Sequence, residues 1–157
     1  VAFHMRELLD ALGLTAFLKT TGSRGLHLVL PLDRKLPFEE VREVARLMGE
    51  EVVRQCPDQV TMEFHKKDRG GRLFLDVNRN GTAQTAVPAF AIRARDGAPV
   101  AMPITWAELE DPKLNARTWT IRNACERMSS IQDPWAGFAK AAKSIRSIPQ
   151  LLAKRAA

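Results

Sequence analysis

Cysteine is scarce in this 157-residue chain: only Cys56 and Cys125 occur, far apart and outside any C-x-x-C arrangement. That argues against a disulfide framework or a cysteine zinc site and makes a reducing cytoplasm the expected compartment. Long apolar runs are missing too. None approaches the roughly 18 residues of a membrane span, so no membrane is expected as a partner. The three histidines, His4, His27 and His65, show no metal-ligand spacing. Acidic residues run out early, with none after Asp133. From Lys113 to Ala157 nine Lys and Arg stand against Glu126 and Asp133, a local surplus of +7 where the whole chain carries +6. The opening VAFHMRELLDALGL is amphipathic and contains acids, unlike a signal peptide. It begins without Met, as a segment of a longer chain would.

What is present suits one globular domain, with 45% apolar and 27% charged residues. The basic surplus points toward polyanions such as nucleic acid or phosphate ligands. Helical spacing of Met5, Leu8, Leu9 and Leu12 predicts a first helix stopped by Gly13. TAFLK and LHLVLPL read as two strands around the loop TTGSRG, and Pro37 opens a helix running to about residue 54. VTMEF fits strand or helix. RLFLDV reads as a strand with Leu73 and Leu75 on one face, and AQTAVPAFAIRA as an extended segment interrupted by Pro88. Thr105 and Glu108 form a capping-box pattern, and helices are expected over 120–128, 134–145 and from Pro149. The tail after about residue 136 either packs as a helical extension or hangs loose. Strands followed by helices, without regular βαβ alternation, predict an α+β fold.

Three segments could carry chemistry. In Thr20–His27 two glycines let the main chain curl, so that N–H groups converge with the hydroxyls of Thr21 and Ser23 and the charges of Arg24 and His27. Such a loop, including Gly25, can cradle phosphate, although it lacks the Walker pattern. The plain alternative is a Gly/Ser turn. Asp76 ends an otherwise apolar strand, where burial demands a metal ion or donors. The alternative is an ion pair with Arg72 or Arg79. Arg93 and Arg95 alternate from one strand face and suit triphosphate, or simply a solvated face. Lys66, Lys67 and Arg69 read as a solvated basic loop. Trp106, Trp119 and Trp135 are widely separated and read as anchors rather than as a stacking platform.

KTTGSRGLHLVLPL resembles the Lys-Thr-Ser-Gly-Ser-Arg/Lys-Gly-Leu-His signature of the polymerase domain of bacterial DNA ligase D, in the archaeo-eukaryotic primase superfamily. RGGRLFLDVNRN, AQTAVPAFAIRARDGAPVAMPITWAEL and the DPW at 133–135 are similar to that domain's later segments. The resemblance covers about residues 1–136, as the C-terminal part of the domain, and leaves 137–157 as a basic helical tail. It implies an α+β primase-polymerase core of mixed or antiparallel strands flanked by helices, incomplete at its N-terminus. Its implied activity is templated and non-templated nucleotide addition to DNA 3′ ends in non-homologous end joining, with ribonucleotides preferred and Mn²⁺ or Mg²⁺ as cofactor. Ku and a ligase module enter as candidate partners. By the same resemblance Asp76 is the catalytic, metal-binding carboxylate, Thr21 and His27 contact the nucleotide phosphates, and Arg79 and Arg93 grip the triphosphate. The 20–27 loop, the Asp76 strand and Arg93 are expected to face one central cleft.

The sequence departs from the family pattern in several places. Thr21 replaces the usual Ser, Phe90 stands where Tyr is common, and Pro88 is displaced by one position. The serious departure is that no Asp-x-Asp pair exists; the only acid pair of that spacing is Glu108-Leu109-Glu110. With one metal carboxylate of three, the isolated chain is expected to be inactive. A non-catalytic nucleotide- or nucleic-acid-binding module, decayed or split, is the competing reading, and a merely basic structural protein a third. Open sheet edges in an incomplete domain would favour self-association.

Overall fold

The computed structural model describes residues 1–156. In chain order its elements are α1 (Ala2–Ala11), β1 (Phe17–Thr20), β2 (Leu26–Val29), α2 (Phe38–Gln55), β3 (Val60–Thr61), β4 (Leu73–Phe74), β5 (Pro103–Ile104), α3 (Ala124–Ser130) and α4 (Ile148–Ala156). This is the expected mixture of helices with an antiparallel sheet. The chain forms two compact units. The first comprises Val1–Leu14, Leu32–Thr85 and the segment from Lys143; the second comprises Thr15–Pro31 and Ala86–Ala142. Among the described residues no helix is long and apolar enough to cross a membrane.

In the first unit, α1 buries Met5, Leu8 and Leu9 and ends where the spacing predicts. Gly13 adopts φ +71°, its N–H donates to Asp10 O, and Leu14 N–H reaches back to Leu9 O at 2.8 Å. These two bonds satisfy carbonyls that the last turn would otherwise leave unpaired. Helix α2 begins after Pro37, carries Glu39 and Glu40 in its first turn and Arg54 in its last, and buries Val44, Met48, Gly49 and Val52. The acids at its start and the base at its end complement the helix dipole. A Cβ on Gly49 would sit 2.9 Å from Met62 Sδ and 3.3 Å from Leu75, so glycine is what allows this close packing. The segment VTMEF resolves to a two-residue strand, with β3 pairing parallel to β4 through Val60↔Leu73 and Thr61↔Phe74. The tail packs rather than hangs: α4 lies against α2, and Ile145 and Ile148 are buried.

The second unit is built on a three-stranded antiparallel sheet in the order β2-β1-β5. Phe17, Leu18, Ala101, Met102 and Ile104 form its core. Two of the tryptophans are anchors: Trp106 Nε1 donates to Ala16 O at 3.2 Å and Trp135 Nε1 to Leu18 O at 2.7 Å. Trp135 also stacks on Phe138 at 5.0 Å, and Phe138 meets Phe17 edge-on. The capping box forms, with Thr105 N–H donating to Glu108 Oε2 and Glu108 N–H to Thr105 Oγ1. It opens only a short turn at Glu108–Glu110.

Several predicted elements are corrected. Strand β4 is two residues long and ends before Leu75, and Leu73 is 54% exposed. The stretch around Arg93 and Arg95 has only an isolated Ile92↔Val100 bridge, so the two arginines do not share a strand face. Thr120–Asn123 is a turn closed on the Asn123 side chain, and α3 starts after it. Residues 134–145 are not a helix: Gly137 takes φ +82°, and the Trp135–Phe138 stack holds the chain in turns. Arg69, expected in a solvated loop, donates to Glu63 O and Phe64 O and stacks 3.9 Å over Phe74.

Candidate functional site

The 20–25 loop is shaped by one hydroxyl. Thr21 Oγ1 donates to Gly25 O at 2.9 Å and accepts the N–H groups of Ser23 and Gly25, each at 3.3 Å. Thr21 N–H also donates to Gly25 O at 3.0 Å. The curl allowed by the glycines therefore converges on Thr21 itself. Thr21 is buried, while Arg24 and Gly25 are exposed and Ser23 lies between. Thr20, fully buried, ties the loop's base to the neighbouring strand by accepting Met102 N–H at 3.1 Å.

Two arginines clamp the loop from distant sequence. Arg93 Nη1 donates to Thr21 O at 3.2 Å and Arg117 Nε to Ser23 O at 3.1 Å. Gly22 takes φ +63°, and a Cβ there would lie 2.7 Å from Arg93 Cγ and 3.2 Å from Pro99 O. No side chain fits that space without moving the arginine.

Behind the loop the β1–β2 ladder opposes Lys19 to His27, and Lys19 Nζ lies 3.0 Å from His27 Nδ1. Lys19 is only 3% exposed. Burial, and then repulsion from Arg93, lowers its pKa from 10.5 to about 8. Among the described residues none of Lys19, Arg24, Arg93 and Arg117 makes a carboxylate ion pair, whereas Arg127, in the same unit, pairs with Glu108. Cations assembled without counter-charges attract an anion. Lys19 and Arg117 lie outside the expected site residues; the signal for Lys19 is its place at the head of the KTTGSRGLH motif, opposite His27 across the β1–β2 ladder.

Asp76 and Arg79 belong to the first unit. Asp76 follows β4 instead of lying within it, accepts Asn78 N–H at 3.0 Å and faces Arg79 Nε at 3.6 Å, with the side chains 36% and 55% exposed. The expectation of a buried carboxylate is corrected: the chain leaves the strand before Asp76, and the ion-pair alternative with Arg79 is what forms. Among the described residues no three His, Cys, Asp or Glu side chains are grouped to hold a metal ion. Asp76 can offer one hard oxygen ligand, and the described residues group no further such ligands with it. A groove of about 310 Å³ beside this segment is lined by Glu39, Arg42, Glu43 and Arg46 together with apolar residues. Its charges neutralise one another, Arg46 pairing with Glu43 at 2.6 Å.

The second unit thus carries a hydroxyl-braced loop clamped by two arginines. Residues 1–135 match the family model described as LigD, primase-polymerase domain, and the chain belongs to that family. It is 37% identical over 134 residues to the multifunctional non-homologous end joining protein LigD of Pseudomonas aeruginosa, covering 84% of this chain and 16% of that protein. Over 138 residues it is 28% identical to the bifunctional LigD of Bacillus subtilis, covering 87% and 22%. The solved polymerase domain of Mycobacterium tuberculosis ligase D, in complex with DNA, is similar with a TM-score of 0.82 at 32% identity, covering 90% of this chain and 48% of that one. The fold is thus that of the LigD polymerase domain, and the chain spans about half of the solved domain.

Proposed function

We propose that this chain supplies the nucleotide-binding loop of a DNA-repair primase-polymerase that transfers nucleotidyl groups to DNA 3′ ends. The observation that carries this reading is the loop with Lys19 and Arg93 beside it, neither of which makes a carboxylate ion pair among the described residues. A triphosphate supplies the missing negative charge. Arg93 and Arg24 then hold phosphate oxygens and His27 donates to one. Thr21 acts less as a ligand than as the brace of the loop, because its hydroxyl proton is spent on Gly25 O. Ribonucleotide preference, DNA ends, Ku and a ligase module belong to this reading through the family.

Divalent ions, Mn²⁺ or Mg²⁺, would supply charge stabilisation and nucleophile positioning to such a reaction. Asp76 is the one carboxylate that matches, and with no Asp-x-Asp in the sequence the chain alone does not extend primers. Two measurements test the proposal. Titration with ATP gives measurable affinity that drops for His27→Ala and for Arg24→Ala; no binding by the wild type rejects the nucleotide reading. Primer extension with Mn²⁺ gives no product from this chain; robust, Asp76-dependent extension would overturn its inactivity. The lack of a complete metal-ligand group equally suits a non-catalytic nucleotide-binding module. A longer gene product that carries an Asp-x-Asp and extends primers rejects that alternative.

A further inference from the structure

Arg117 touches the loop, yet the proposed reading gives it no task. It is exposed, lies in the same compact unit as the loop, and donates from Nε to Ser23 O at 3.1 Å. The turn that carries it is closed by side chains. Asn115 N–H donates to Thr118 Oγ1 at 2.8 Å, Arg117 N–H to Asn115 Oδ1 at 2.9 Å, and Asn123 Nδ2 to Thr118 O at 3.0 Å. The chain around it is tied to the segment 98–100: Val100 N–H donates to Trp119 O at 2.8 Å and Ile121 N–H to Ala98 O at 3.2 Å. Arg93 N–H donates to Pro99 O in that segment at 2.8 Å. One piece of backbone thus anchors two arginines, and they reach two carbonyls of one loop, Thr21 O and Ser23 O.

We infer that Arg117 is a further phosphate-binding residue, fixed to the loop through Nε and offering its Nη groups to a polyphosphate chain beside Arg24. The polyphosphate being part of a nucleotide rests on the nucleotide-binding reading; the anion site does not. A guanidinium carries its N–H donors as a planar fork. Bonding to Ser23 O through Nε leaves both Nη groups for phosphate oxygens. Arg24 follows Ser23 directly and is exposed, so two guanidiniums are held at the loop tip, neither paired with a carboxylate among the described residues. Like charges gathered without a counter-charge attract an anion. An arginine already held in place also loses less side-chain freedom on binding than one that must first be ordered.

Arginine modification by phenylglyoxal, which adds to accessible Nη atoms, tests the contact directly in the full chain, with the adducts located by mass spectrometry. Saturating ATP should slow modification of Arg117 and Arg24 by about tenfold, as mass action gives at high occupancy. Arg122, exposed in the next turn, should react as before. Inorganic tripolyphosphate should shield the same two residues. If it does so in a chain that binds no ATP, the anion site stands and the nucleotide reading falls. ATP that binds without shielding Arg117 overturns the inference, as does shielding by a single-stranded oligonucleotide alone, or by no anion at all. Affinity supplies the second arm. Arg117→Gln should weaken ATP binding roughly tenfold, as for a lost charge-assisted contact, and Arg117→Lys, a point charge in place of a fork, should recover only part of it. An unchanged affinity in Arg117→Gln overturns the assignment. At saturating ATP, Arg24 should remain shielded in Arg117→Gln; if that shielding is lost, Arg117 only maintains the shape of the loop, and its role as a ligand is refuted.

Discussion

Replacing Lys19 with methionine makes the fold more stable at neutral pH, and the advantage disappears as the solution becomes alkaline. The pKa of Lys19 falls from 10.5 to about 8 in the folded chain, through burial first and repulsion from Arg93 second. At about 1.4 kcal/mol per unit, that shift is roughly 3 kcal/mol held against the fold. Its sign follows from proton counting. Below pH 8 both states hold the proton, and the full cost is present. Between pH 8 and 10.5 the unfolded chain keeps a proton that the folded chain has released, so unfolding free energy rises with pH in this window. Above it the cost is gone. The groups facing Lys19 are His27 and Arg93. Losing the His27 hydrogen bond subtracts about 1 kcal/mol from the gain, so at pH 7 the variant should be about 2 kcal/mol more stable. Urea unfolding of wild type and Lys19→Met from pH 7 to 10.5, read as the difference between them, cancels every other titration. Their difference should shrink and reverse across the window. A difference independent of pH, or one that grows in favour of methionine, refutes the assignment.

Two other sites make sharp predictions. Glu108→Ala removes the partner that Arg127 grips at 2.7 and 2.9 Å through Nη2 and leaves that guanidinium buried. Unfolding should show a loss of about 3–5 kcal/mol, largely recovered when Arg127→Met is added; a loss under about 1 kcal/mol would mean that the pair contributes nothing. Gly22→Ala forces an L residue into φ +63° and a Cβ against Arg93 Cγ. It should cost about 2 kcal/mol in urea unfolding and weaken ATP binding by displacing Arg93, whereas Gly71→Ala, which shares the positive φ but has open space around it, should show only the conformational cost.

The parts legible in the sequence are those that local chemistry determines. Helix α1 ends at Gly13 because a left-handed residue there closes two carbonyls, and α2 starts after Pro37 with acids in its first turn. Strands β1 and β2 could be read from alternation around a glycine loop. What could not be read depends on distant partners. Residues 134–145 have helical composition, but Trp135 is bound to Leu18 O, 117 residues away in sequence, and this contact overrides propensity. The alternation of residues through Arg93 reads as a strand. In the folded chain Arg93 turns inward to hold Thr21 O, leaving Arg95 exposed.

The loop itself shows why a motif names a site more readily than it assigns roles within it. A Gly-rich loop suggests phosphate because its amides are free to converge on an anion. Here the amides of Ser23 and Gly25 converge on the Thr21 hydroxyl, and that hydroxyl returns its proton to Gly25 O. An anion at this loop would therefore meet side-chain cations in place of those amides. Exchanging Thr21 for serine, the residue usual in the family, keeps the oxygen that all three bonds use. Replacing it with valine keeps the shape but leaves the Ser23 and Gly25 amides without their acceptor and Gly25 O with only the backbone N–H of residue 21, in a loop whose backbone also anchors Arg93 and Arg117. The hydroxyl at this position is thus required for the loop to exist in this form, before any question of whether it touches a nucleotide.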